Sequence, residues 1–190
     1  MRFTTPLAFP SSEWLLFSES VKADPCCHCK EKGSLKSHGA LRGIHLSKPK
    51  TELRGVRFFC SNRYSNKGCG RTFSILFSSM IPALSLRAKQ LSQFLKELLQ
   101  KDSVHAAWHG SALPFSLRSA YRWVKKFQLN QSTIRSAVYS TLPNEEGIPL
   151  APHLETIRYL QAFSSDDFVE ALQREHQTSI FSEKQRYNPS

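Results

Sequence analysis

Four cysteines constrain this chain more than any other feature. Cys26 and Cys29 are separated by two residues, Cys60 and Cys69 by eight, and the stretch they bracket is basic and punctuated by glycine. A Cys-x-x-Cys spacing lets one tight turn aim two thiolates at a single tetrahedral Zn²⁺. Eight residues is wide for a second turn of that kind, but Cys69-Gly70 supplies a residue able to reverse the backbone and present sulfur. Residues 25–77 hold only short apolar pieces, too few for a stable core alone, so a structural metal would supply the missing stability. Four thiolates complete the coordination shell and leave no position for an activated water, which makes such a metal architectural. Cys27 is set aside as a spare thiol, because Cys27-His28-Cys29 leaves one residue between sulfurs; His28, His38 and His45 are the substitute ligands on offer. Ordinary buried thiols would need an apolar interior, and this basic segment hardly provides one.

Charge points to the partner. The chain carries 26 Lys and Arg against 15 Asp and Glu, a net +11, and the excess is localised. Residues 1–25 are at −1, residues 26–130 hold 19 basic and four acidic side chains for +15, and residues 131–190 are at −3. A block of that sign beside an acidic tail favours a polyanion over a scattered solubility charge. Trp14-Leu15-Leu16-Phe17 is too short for a signal core or a membrane span. No membrane partner is therefore expected. The expected location is the cytosol (nucleoid-associated in a bacterium), where paired cysteines mean metal more often than disulfide.

The patterning predicts an α+β chain in five parts. Residues 1–24 read as an extended arm. Residues 25–77 read as a β-rich zinc ribbon with strands at 55–60 and 71–77. Residues 84–130 read as a three-helix, helix-turn-helix-like domain. Its first helix carries Leu91, Phe94, Leu95, Leu98 and Leu99 at helical spacing behind Ser85 as N-cap, and Val104, Ala107 and Trp108 mark the second, ended by Gly110. Ser116 opens the third, with Leu117, Ala120, Tyr121 and Val124 as its buried stripe and Trp123 off that stripe, free to pack on the ribbon. Residues 131–180 read as a helical extension with helices near 154–163 and 165–173, and residues 181–190 as a disordered tail.

The third helix carries the candidate DNA contacts. Arg118, Ser119 and Arg122 sit in its first turns, where a recognition helix meets base edges, and Lys125 and Lys126 lie further along, placed for phosphate. Arg57, Arg63 and Arg71 are the ribbon's cations for the DNA backbone. His105 and His109 lie at i, i+4, but no His-Glu-x-x-His joins them and they read as ordinary polar groups on a helix. An alternative is RNA binding by the ribbon, with Phe58, Phe59, Tyr64 and Phe73 as stacking platforms. A further alternative is a protein-interaction adaptor working through the C-terminal helices.

Cys26-x-x-Cys29, Arg57-Phe58-Phe59-Cys60, Cys69-Gly70-Arg71-Thr72-Phe73 and Ser116-x-x-Ser119-Ala120-Tyr121-Arg122-Trp123 together resemble the N-terminal region of insertion-sequence transposases. The resemblance covers residues 25–127 and implies a zinc ribbon joined to a helix-turn-helix that binds duplex DNA at an element's ends. The chain departs from that pattern where Cys27 and Lys30 replace the usual proline and glycine, and where Ser61 to Gly68 extend the second turn. It has only four aspartates, Asp24, Asp102, Asp166 and Asp167, and no strand-rich segment after Asn130 to carry the acidic triad of strand-transfer enzymes. The expectation is a transposase-like or transposition-associated regulator, not an enzyme, whose C-terminal helices meet a transposase or a second copy.

Overall fold

The computed structural model describes residues 2–5, 13–44, 51–82, 84, 86–101, 103–113, 115–141, 150–176 and 178–181. The fold is α+β, with two compact units, Met1–Ser85 and Leu86–Ser190. The first unit holds strand β1 (Arg2–Thr5), helix α1 (Glu13–Ala23) and strands β2 (Leu35–Ile44), β3 (Thr51–Cys60) and β4 (Thr72–Phe77). The second holds helices α2 (Ala88–Lys101), α3 (Val104–Ser111), α4 (Leu117–Val138), α5 (Pro152–Phe163) and α6 (Phe168–His176). Among the described residues no helix is long and apolar enough to cross a membrane.

The sheet is ordered β1-β4-β3-β2, antiparallel from β2 to β4 with β1 added parallel to β4. Alternation puts Phe58 of β3 directly opposite Phe73 of β4, their rings stacked at 5.6 Å, and Val56 opposite Ile75 on the same face. That face, with Leu35 of β2, is covered by Val21 and Phe17 of α1, one helical turn apart. The expected extended arm is therefore wrong from Glu13 onward: the segment is a helix, because Phe17 and Val21 at i, i+4 seal the sheet's apolar face. Strand β2 carries no alternation the sequence could have shown. Past Leu35 it runs as Lys36-Ser37-His38-Gly39-Ala40, all exposed at the sheet edge, and its register with β3 shifts between Ser37 and Gly39.

In the second unit Leu91, Phe94, Leu95 and Leu98 of α2 are buried as expected. Ser103 caps α3, its hydroxyl accepting the Ala106 N–H, and the helix runs one residue past Gly110 to Ser111. The expected N-cap Ser85 lies outside the described residues. Helix α4 is continuous for 22 residues, so the expected boundary between 130 and 131 falls inside it. Its buried side is Ala120, Trp123, Val124, Phe127, Asn130, Ile134 and Val138. Tyr121 is 53 % exposed and Trp123 only 5 %, the reverse of the expected assignment. The longer stripe decides: Ala120, Phe127 and Ile134 recur every seven residues, and a stripe through Tyr121 dies out after one turn. Trp123 meets the rings of Phe94, Trp108 and Phe115 edge-on at 5.2–6.5 Å and belongs to this helical core, not to the ribbon.

The C-terminal helices complete the same core. Leu154, Ile157 and Leu160 of α5 and Phe168, Val169, Ala171 and Leu172 of α6 are buried. Arg135 of α4 reaches α5 through Thr156 Oγ1 at 2.8 Å and Glu155 at 3.0 Å. Asp167 precedes α6 and accepts from the Glu170 N–H at 3.0 Å and from Ser92 Oγ of α2 at 2.7 Å, capping one helix and tying it to another. Ile180 and Phe181 are buried, so the first residue of the expected tail packs with the rest of the unit; residues 182–190 lie outside the described residues.

The aromatic cluster makes a direct stability comparison. Trp123→Ala is expected to cost about 3–5 kcal/mol, as aromatic-to-alanine changes in a packed core do. Tyr121→Ala, on the exposed side of the same helix, is expected to stay within about 0.5 kcal/mol of wild type. Urea titration of both variants checks the order, and equal losses would place the helix the other way round.

Candidate metal centre

Two turns build the site. The first follows α1: the Cys26 N–H donates to the Glu31 carbonyl at 2.9 Å and the Lys30 N–H to the Cys26 carbonyl at 2.8 Å, closing a loop from which Cys26 and Cys29 project together. Lys30 ends this loop at φ 65°, a left-handed conformation that glycine adopts without penalty and lysine does not. The second turn joins β3 to β4. Past the strand ends the ladder adds a reciprocal pair around Cys60, whose N–H donates to Arg71 O at 2.9 Å and whose carbonyl accepts the Gly70 N–H at 2.9 Å.

The eight residues between Cys60 and Cys69 do not separate their sulfurs, because the loop closes at its base. The Gly68 N–H donates to Ser61 O at 3.0 Å. A side chain at Gly68 would run into the Ser61 carbonyl and stand 2.7 Å from Cys60 Sγ, so only glycine fits there. Gly70 sits at φ 72° and turns the chain into β4.

The result is one cluster. Sγ atoms of Cys26, Cys29, Cys60 and Cys69 all lie within 4.8 Å of one another, with Cys26 and Cys69 at 3.9 Å and Cys29 and Cys60 at 3.6 Å. A tetrahedron with metal–sulfur bonds of about 2.3 Å has edges of about 3.8 Å. A disulfide would need about 2.05 Å, and all five cysteines are free thiols. The donor set therefore fits a tetrahedral, sulfur-preferring metal ion. Cys26 and Cys60 are fully buried, Cys69 is half-buried and Cys29 exposed, so the site lies at the rim of the sheet's core.

Hydrogen bonds and burial pull the thiols apart in acidity. Burial presses Cys26 upward, yet the backbone N–H groups of Cys29 and His28 and the Cys60 and Cys29 thiols outweigh it and hold the group down at about 7. Burial pushes Cys60 up to about 11 despite the Ser34 hydroxyl at 3.1 Å and the Cys69 N–H at 3.3 Å. Four neighbouring thiolates repel one another, and a bound cation is what lets all four ionise near neutrality. With four protein sulfurs the shell is full, so the centre can hold three chain segments together but has no place for substrate.

Cys27 lies outside the cluster and packs at the margin of the apolar core, where burial and then the neighbouring Cys26 charge raise its pKa. Neither His28 nor His38 joins the sulfurs; His38 faces the Phe59 ring at 5.7 Å, and His45 lies outside the described residues. Ser34 was not foreseen as a partner of the site, since a serine at the head of an unrecognised strand gives no sequence signal.

The expected DNA contacts fall in both units. Arg57, Arg63 and Arg71 are exposed on the first; Arg57 alternates with Phe58 and so leaves the sheet on the face away from the core. Arg118, Arg122, Lys125 and Lys126 are exposed along one side of α4. Ser119 is half-buried with its hydroxyl 3.2 Å from that of Ser116, which turns it toward its own helix start. Phe58 and Phe73 are buried in the sheet's core and cannot be stacking platforms, as the RNA alternative required. His105 and His109 are exposed with ring centroids 4.5 Å apart, in keeping with ordinary helix-surface groups.

Cys60→Ser and Cys69→Ser are each expected to release the metal and unfold the first unit, whereas Cys27→Ser should retain full metal content. Metal analysis with circular dichroism reads both, and metal loss confined to Cys27→Ser would refute the ligand set. Lys30→Gly relieves the left-handed turn without touching a sulfur. It is expected to stabilise the first unit by about 0.5–1 kcal/mol, the strain of an L-residue at positive φ less glycine's extra unfolded-state entropy. A lower resistance to denaturant or chelator would show that the lysine side chain contributes a contact of its own.

No family model, no curated protein and no solved structure matches this chain.

Proposed function

We propose that the protein is a zinc-dependent, duplex-DNA-binding protein, a transposase-like or transposition-associated regulator that performs no strand chemistry of its own. One observation carries this best: Arg118, Arg122, Lys125 and Lys126 stand exposed on one side of α4, and the opposite side of the same helix is locked into the aromatic core by Trp123 and Phe127. A helix anchored in that way presents its cations at fixed spacing, as a major-groove element requires. Helices α3 and α4, joined through residues 112–116, then serve as the helix-turn-helix pair, with α4 as the recognition helix.

The metal in this reading is Zn²⁺, which is redox-inert, tolerates the tetrahedral four-thiolate set and acts by holding the ribbon's shape. Arg57, Arg63 and Arg71 on that ribbon supply phosphate contacts. A transposase or a second copy remains a candidate partner of the C-terminal helices, but α5 and α6 spend their apolar stripes inside the second unit and would offer a partner only polar faces. A cytosolic setting suits free thiols and a DNA target.

Arg118→Ala and Arg122→Ala are expected to cost about 1–3 kcal/mol on a selected duplex and much less on a scrambled one, as lost guanine contacts do. Lys125→Ala and Lys126→Ala should weaken both duplexes alike and flatten the salt dependence by about one unit each. The comparison is made at one ionic strength with duplexes selected from random sequence. Equal losses on both duplexes for the arginine variants would reduce α4 to an electrostatic surface.

A further inference from the structure

The loop between Cys60 and Cys69 is longer than metal binding requires. Two thiolates need only two to four residues between them, and an antiparallel pair such as β3 and β4 needs a turn of about the same length. The extra residues are nevertheless ordered. Ser61 Oγ accepts the Arg63 N–H at 3.3 Å, and Arg63 O accepts both the Asn66 N–H at 3.1 Å and Asn66 Nδ2 at 2.8 Å, above the base closed by Gly68.

At the tip the chain does what stability alone would not select. Tyr64 sits at φ 51° and Ser65 at φ 69°, two successive left-handed residues, neither of them glycine. Tyr64 is 94 % exposed, the most exposed large apolar residue described. It contributes nothing to the core, and a glycine or asparagine would close the same turn at less cost. In the same loop Arg63, Lys67 and Arg71 are exposed, and along the sequence no acidic residue occurs between Glu52 and Glu97.

We infer that Tyr64 is a stacking finger for an unpaired DNA base, with Arg63, Lys67 and Arg71 holding the flanking phosphates, so that the ribbon favours DNA whose strands are locally open. The chemistry selects that ligand. An aromatic ring offers a nucleic acid a π-face, which every base can use, and the exposed cations of the same acid-free loop suit the backbone on either side. Bases inside a duplex are already stacked on their neighbours, so an exposed ring gains most from one that has left the stack. The inference rests on the DNA-binding reading above and adds to it a preference residing in the first unit, separate from α4.

The test uses the full chain loaded with metal, at one fixed ionic strength. Its probes are a blunt duplex, the same duplex opened by a central unpaired bubble, and a single-stranded RNA of the bubble strand's sequence. Wild type is expected to bind the bubble about 5- to 100-fold more tightly than the duplex, the range that one base–aromatic stack supplies. Tyr64→Ala and Tyr64→Gly should bring the two DNAs to parity, and Tyr64→Phe should keep the preference. Tyr64→Gly should also retain full metal content and unfold no more easily than wild type, since glycine fits the turn, which separates a lost contact from a lost fold. Arg118→Ala should weaken bubble and duplex together and leave their ratio intact. A bubble-to-duplex ratio near one in wild type, or one that survives Tyr64→Ala and Tyr64→Gly, overturns the inference while leaving duplex binding standing. Tighter binding of the RNA than of the DNA bubble overturns it in favour of RNA. No binding of any probe at low salt overturns the DNA-binding reading and this inference with it.

Discussion

Four clustered sulfurs, three of them packed in or against an apolar core, are the constraint on which the first unit depends. Cys26 and Cys60 are as buried as Phe58, and they belong to the same cluster as Val21, Leu35, Phe73 and Ile75. The core and the cysteine cluster are thus continuous. Val21, Leu35, Phe58, Phe73 and Ile75 are the buried apolar side chains that share this cluster with the sulfurs. Thiolates buried there without a cation would repel one another and lose hydration. A metal ion held by the four sulfurs would relieve that repulsion, and would tie the end of the α1 segment to the ends of β3 and β4.

The second unit solves the stability problem by other means. Its core is a set of aromatic rings from α2, α3 and α4, extended by aliphatic side chains of α5 and α6. No metal is needed because five amphipathic helices bury apolar faces against one another. Helix α4 serves that core along its whole length, and the hydrogen bonds of Arg135 to α5 and of Asn130 Nδ2 to the Ser179 carbonyl beyond α6 fix its C-terminal half. Its basic N-terminal half is backed by the buried Trp123, Val124 and Phe127, which leaves Arg118, Arg122, Lys125 and Lys126 exposed on its outer side.

Sequence patterns revealed what chemistry or strict periodicity imposes. The cysteine spacing named all four members of the cluster, and α2 was visible through Leu91, Phe94, Leu95 and Leu98 because nothing competes with that stripe. Strands β3 and β4 showed through their aromatic and β-branched residues. Helix α1 did not, since only Phe17 and Val21 of its inward residues lie in plain view and the short segment has no neighbour in sequence to pack on. Strand β2 failed to show because an exposed edge needs no alternation. The choice between Tyr121 and Trp123 went wrong locally and is settled only by the seven-residue recurrence that runs on to Ile134. The same long helix hid the absence of a boundary near residue 130.

Four residues other than glycine adopt positive φ among those described, and sorting them by what each accomplishes isolates the unusual one. Ala112 caps α3, its N–H donating to the His109 carbonyl. Lys30 closes the first metal turn, and its strain is repaid by the placement of Cys26 and Cys29. Tyr64 and Ser65 cap no helix and position no sulfur, for the base of their loop is already fixed by Gly68 and by the ladder around Cys60. Strain that the rest of the molecule does not require is a mark of contact with something outside it. A metal held by four sulfurs would be closed to substrate, so that tip and the exposed cations of its loop are where the first unit has chemistry left to offer.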